Sequence, residues 1–110
     1  MTGIVLVTDE TFEDEVIRSR LPVVVDFYAD WSVPSRAAEL SLETLSESLT
    51  GRIKFTKVNV NDSSTVANSF GIHTIPTYLF LDEGREKGRE VGIVGPRELR
   101  SILRKHFSFE

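Results

Sequence analysis

The chain has 110 residues and none of them is cysteine. That absence removes disulfide staples, thiolate metal sites and thiol nucleophiles together. Histidine is scarce as well: His73 and His106 are far apart in sequence and lack ligand spacing, so no zinc site is expected. No stretch approaches the roughly 20 apolar residues needed to cross a membrane. The start, Met1 to Asp9, lacks the basic segment and long apolar run of a secretory leader. A cytoplasmic protein with no membrane partner is expected. Positive charge is not clustered and the formal net charge is −4, which argues against binding nucleic acid or an anionic membrane surface. No internal repeat, linker or low-complexity segment interrupts the sequence. The expectation is one domain over residues 1–110, monomeric and without a cofactor.

What is present alternates between two periodicities. Ile4 to Val7 reads as a strand, and Thr8 or Asp9 then caps a helix through about Arg18, with Phe12, Val16 and Ile17 inward. Val23 to Tyr28 is the strongest strand, with the nearly continuous apolar character of a strand covered on both faces. The next helix starts at Ser32, carries Pro34 in its first turn and aligns Ala38, Leu42, Leu45 and Leu49. Ile53 to Val60 is a strand, Ser64 to Phe70 a short helix closed by Gly71, and Tyr78 to Leu81 a strand. Glu83-Gly84 turns into a polar strand, Arg85 to Val91, whose charge suits a sheet edge. Gly95-Pro96 opens a last helix with Leu99, Ile102, Leu103 and Phe107 inward. The order β-α-β-α-β-α-β-β-α predicts an α/β fold with helices on both faces of a mostly parallel sheet, to which the final hairpin adds an antiparallel pair.

Two features are out of place for a purely structural frame. Asp26 sits inside the apolar run Val23-Val24-Val25-Asp26-Phe27, where a carboxylate is costly to bury. Trp31-Ser32-Val33-Pro34-Ser35 then sets two serines at a helix mouth. Ser32 suits an N-cap, and Asp26 as a strand-end carboxylate bonded to backbone is the plain alternative to a functional group.

These residues, in this order, resemble thioredoxin over essentially the whole chain. The family's active-site stretch is Trp-Cys-Gly-Pro-Cys; here it reads Trp31-Ser32-Val33-Pro34-Ser35. Asp26-Phe27-Tyr28-Ala29 is similar to the family strand with its buried aspartate, and Ile75-Pro76-Thr77 to its cis-proline loop. Gly84 matches the hairpin turn and Gly92 the glycine beside the substrate groove. Val33 replaces the usual glycine, and Leu40 stands where many members carry a helix-kinking proline, which predicts a straighter helix.

The resemblance implies a thioredoxin fold with a central mixed sheet, and a parent activity of protein-disulfide reduction. Ser32 takes the place of the attacking cysteine and Ser35 that of the resolving one. Asp26 becomes a buried proton acceptor with its pKa raised by desolvation. Lys57 either moderates Asp26 or merely snorkels from a half-buried strand. Trp31, Val33, Pro34, Thr74, Ile75, Pro76 and Gly92 line a groove for extended polypeptide or protein-disulfide substrates. A thioredoxin reductase is the expected partner of the parent. Disulfide exchange needs a thiolate to attack and a second thiol to resolve, so the serine chain is expected to be inactive in it.

Three readings follow in order. The first is a thioredoxin whose two cysteines were replaced by engineering. The second is a natural, redox-inactive module that binds peptide as a scaffold. The third is a glutathione-binding protein, disfavoured because no additional helical domain is present. A Ser-His-Asp hydrolase built from Ser32, His73 and Asp26 fails because Asp26 should lie beneath the helix mouth.

Overall fold

The computed structural model describes residues 3–109. Five strands, β1 (Ile4–Leu6), β2 (Val23–Tyr28), β3 (Lys54–Asn59), β4 (Thr77–Asp82) and β5 (Arg85–Val91), form one sheet in the order β1-β3-β2-β4-β5. The apolar run of β2 places it at the centre, where five of its six residues are buried. β3 runs parallel to both β1 and β2, whereas β4 is antiparallel to β2 and to β5. The sheet is therefore evenly mixed and not mostly parallel. The chain between β3 and β4 returns β4 beside β2 in the opposite direction, a choice that no local pattern encodes.

Helices cover both faces. On one face α1 (Val33–Ser48) and α3 (Pro96–His106) bury Leu42, Leu45, Leu99 and Leu103 against Val24, Phe55, Tyr78 and Phe80. On the other, α2 (Ser64–Ser69) and a single π-helical turn (Glu13–Ile17) bury Val66 and Val16 against Val25, Phe27, Val58 and Leu79. Each fully buried leucine, valine or phenylalanine stabilises by about 1.5–3 kcal/mol relative to exposure. α1 runs unbroken through Leu40, which is exposed.

The expected first helix from Thr8 or Asp9 to Arg18 is shorter and of a different kind. Its regular part is Glu13–Ile17, closed by the bond from the Arg18 N–H to the Glu13 carbonyl, five residues back. Asp9 does not cap it. The Asp9 carboxylate instead accepts from the Val66 N–H (2.9 Å) and the Thr65 N–H (3.3 Å), capping α2 from 57 and 56 residues away. Ser63, buried below, accepts from the Asp9 N–H. Lys54 ties the π-helical turn to β3 through the Glu15 carboxylate at 2.7 Å.

The β4–β5 hairpin turns on Glu83 and Gly84, both at positive φ (52° and 76°). A Cβ on Gly84 would also sit 3.2 Å from the Ile17 carbonyl oxygen, so the turn abuts the end of the π-helical segment. Farther along β5, Gly88 leaves room for the His106 ring, which stacks on Phe80 with centroids 5.3 Å apart.

Candidate functional site

The site forms where β2 runs into α1. Ala29, Asp30 and Trp31 make the turn, closed by the Ser32 N–H donating to the Ala29 carbonyl at 3.1 Å. Ser32 is extended, with φ −94° and ψ 116°, and is the N-cap of α1. Its Oγ accepts from the Ser35 N–H at 3.2 Å, which satisfies one of the free amides of the first turn. The Ser35 Oγ accepts from the Ala29 N–H at 3.4 Å, back across the turn. Both serines are buried, whereas their neighbours Trp31 and Val33 are 71% and 77% exposed. Pro34 is exposed as well.

The Ile75–Pro76 loop reaches the same end of the sheet. Phe27 pairs with Thr77 in the antiparallel register, so the loop before β4 lies beside the end of β2. The Ile75–Pro76 peptide bond is cis. Pro76 is buried, Ile75 half-buried and Thr74 exposed. The Thr77 hydroxyl donates to the Thr74 carbonyl and holds the loop closed. Gly92, at φ 98°, donates its N–H to the Pro76 carbonyl at 2.9 Å, which brings the end of β5 to the loop. Val91 and Ile93 flank it with exposed side chains. Trp31, Val33, Ile75, Val91 and Ile93 thus share one end of the sheet.

Asp26 lies beneath this surface and is fully buried. Neither carboxyl oxygen has a hydrogen-bond partner among the described residues. The alternative of a carboxylate satisfied by backbone does not hold. Burial raises its pKa from 3.8 to about 7, the negative field of Glu39 adds to the rise, and Lys57 opposes it. Lys57 is the register partner of Asp26 on β3, yet its Nζ pairs with Glu39 Oε1 at 2.6 Å. It also sits 5.4 Å from the Tyr28 ring centroid.

A polar cleft of about 260 Å³ opens at the end of β2, lined by Tyr28, Ala29, Asp30, Ser35, Arg36 and Glu39. Sequence reasoning missed Glu39. It lies one helical turn after Ser35, so the i, i+4 rule could have placed it on the same helix face as Ser35. His73 is exposed in the loop before β4 and does not line this cleft with Ser35. No cluster of three or more metal-capable side chains occurs among the described residues. No helix among them is long and apolar enough to cross a membrane.

Residues 3–105 match the thioredoxin family profile, described as Thioredoxin. The chain belongs to the thioredoxin family. It is similar to Thioredoxin 1 of Nostoc sp., with 37% identity over 106 residues that cover 96% of this chain and 99% of the relative. A thioredoxin of Rickettsia bellii is 38% identical over 87 residues, covering 79% of this chain and 83% of its own. A thioredoxin of Porphyra purpurea is 37% identical over 102 residues, covering 93% and 95%. This member of the family has no cysteine, and serines 32 and 35 occupy the helix mouth.

Proposed function

We propose that this chain is the thiol-free form of a protein-disulfide reductase. The observation that carries the reading is the pair Ser32 and Ser35 at the N-terminus of α1, with the unpartnered carboxyl of Asp26 buried in the strand that leads to them. A helix N-terminus lowers the pKa of a thiol placed there. A buried acid that titrates near neutrality is suited to exchanging a proton with a neighbouring thiol. Both properties serve sulfur chemistry, and a hydroxyl uses neither without a base to activate it. In this reading Ser32 occupies the position of the attacking thiol and Ser35 that of the resolving one.

Substrate is extended polypeptide laid along Trp31, Val33, Pro34, Thr74, Ile75, Pro76 and Gly92, where apolar side chains are exposed beside the loop. Lys57 tunes Asp26 from the neighbouring strand. The partners are protein disulfides and, for the thiol-bearing parent, a thioredoxin reductase; the chain itself acts as a cytoplasmic monomer. We read the two serines as an engineered edit of that parent, because Asp26 is retained although it opposes folding at neutral pH. A natural scaffold that binds peptide without exchange is the second reading, favoured by the exposed Val33 in place of the usual glycine.

Single substitutions test the assignment of roles. Ser32→Cys with Ser35 retained is expected to attack a disulfide-bonded polypeptide. A bond forms between the new sulfur and one substrate sulfur, the substrate disulfide breaks, and the other sulfur leaves as thiolate. With a hydroxyl at position 35 the mixed disulfide persists and is seen as an adduct by mass spectrometry. Ser35→Cys alone, under a 1% exposed position, is expected to give little adduct. Equal trapping by both variants, or none by either, contradicts the assignment.

A further inference from the structure

The ammonium of Lys57 makes no ion pair with the carboxyl of its strand neighbour. Asp26 and Lys57 are register partners on β2 and β3. Yet the Lys57 Nζ is held by Glu39 Oε1 at 2.6 Å and lies 5.4 Å from the Tyr28 ring centroid. No ion pair joins it to Asp26, whose two oxygens have no hydrogen-bond partner among the described residues. The other elements around Asp26 offer no substitute. From β4 its register partner is Tyr78, whose hydroxyl donates at 2.6 Å to the Ala38 carbonyl of α1. From α1 comes Glu39 itself, half-buried and lining the cleft with Ser35. At the end of β2, Tyr28 lies under Lys57.

We propose that Glu39 is a positioning residue for the buried carboxyl: by holding the Lys57 ammonium in an ion pair, it withholds that counter-ion from Asp26. The Glu39 carboxylate acts in two ways. Its own negative field disfavours a second negative charge nearby, and its ion pair keeps the cation of the neighbouring strand engaged elsewhere. The fields agree with the geometry: after burial, Glu39 is the stronger influence raising the Asp26 pKa, and it outweighs the opposing effect of Lys57. Partial burial works against the charge of Lys57, but the hydrogen bond and field of Glu39, with smaller effects of Tyr28 and Asp26, hold the ammonium above its ordinary range. The consequence for thiol chemistry rests on Asp26 being the proton acceptor for position 35. The ionisation itself does not, so it is measured on the serine chain and stands or falls separately from the proposed function.

The test follows the side-chain carboxyl 13C shift of Asp26 against pH in four chains: unmodified, Glu39→Ala, Lys57→Met, and the double variant. Alanine is the strongest helix former, so α1 tolerates it at this half-buried position. Glu39→Ala is expected to lower the Asp26 midpoint by on the order of one pH unit. In the Lys57→Met background the same change is expected to give less than half that shift, because no ammonium is left to release. Glu39→Gln repeats the comparison should an alanine variant unfold. Equal shifts in the two backgrounds would mean that Glu39 acts by its field alone and overturn the positioning role. An unchanged or raised midpoint in Glu39→Ala would overturn it as well.

Discussion

Asp26 sets the pH behaviour of the fold. Its carboxyl titrates at about 7 when folded and near 3.8 when exposed. Between those values the folded chain binds more protons than the unfolded one, so stability falls as pH rises through the window. The contribution is absent below pH 3.8 and complete above about 7. At about 1.4 kcal/mol per pH unit, it amounts to about 4 kcal/mol against folding. Asp26→Ala is therefore expected to gain stability relative to the parent as pH rises, by about 4 kcal/mol between pH 4 and pH 8, in urea unfolding at the two values. A difference independent of pH would contradict the buried, unpartnered state. The burial of Asp26 was legible in the apolar residues on either side of it. The pairing of Glu39 with Lys57 was not, because it spans 18 residues and two elements and leaves no local signal. The capping role of Ser32 was legible from its place before Pro34; the backward bond from the Ala29 N–H to Ser35 was not.

The elements divide in the same way. Strand and helix positions follow the apolar runs and stripes and the turn residues between them, so β2, α1 and α3, and the polar β5 after the Glu83-Gly84 turn, fall within a residue or so of their expected bounds. The expected helix before β2 is present but shorter and π-helical, and Asp9, one of its two expected caps, serves another element. Thr8 and Asp9 precede an apolar stripe, as an N-cap should, but the Asp9 carboxylate turns to the short α2, whose N-cap Ser63 makes no side-chain capping bond of its own. Asp9→Ala is accordingly expected to cost about 1 kcal/mol, the usual value of a lost cap. Its local signature is faster hydrogen exchange at the Thr65 and Val66 amides, with Val16 and Ile17 little changed. The reverse pattern would show that Asp9 supports the π-helical turn instead.

At the scale of the molecule, the sheet brings three separate stretches to one end: the β2–α1 turn with Ser32 and Ser35, the Ile75–Pro76 loop, and Gly92 after β5. The antiparallel placement of β4 beside β2 makes this meeting possible. Periodicity alone gave no sign of it, and the expected excess of parallel pairs was wrong for that reason. The likeness of the motifs to thioredoxin did bring the three stretches together in advance, since it supplied the topology as well as the residues. Under the proposed function, the frame lacks only two sulfur atoms for disulfide exchange. Reduction of insulin by the Ser32→Cys/Ser35→Cys variant, with dithiothreitol as electron donor and the unmodified chain as blank, tests that directly. Sustained turnover is expected from the variant, and none above background from the serine chain. A variant that folds but does not turn over would contradict the proposed function, and would mean that the site differs from a disulfide reductase by more than its sulfurs.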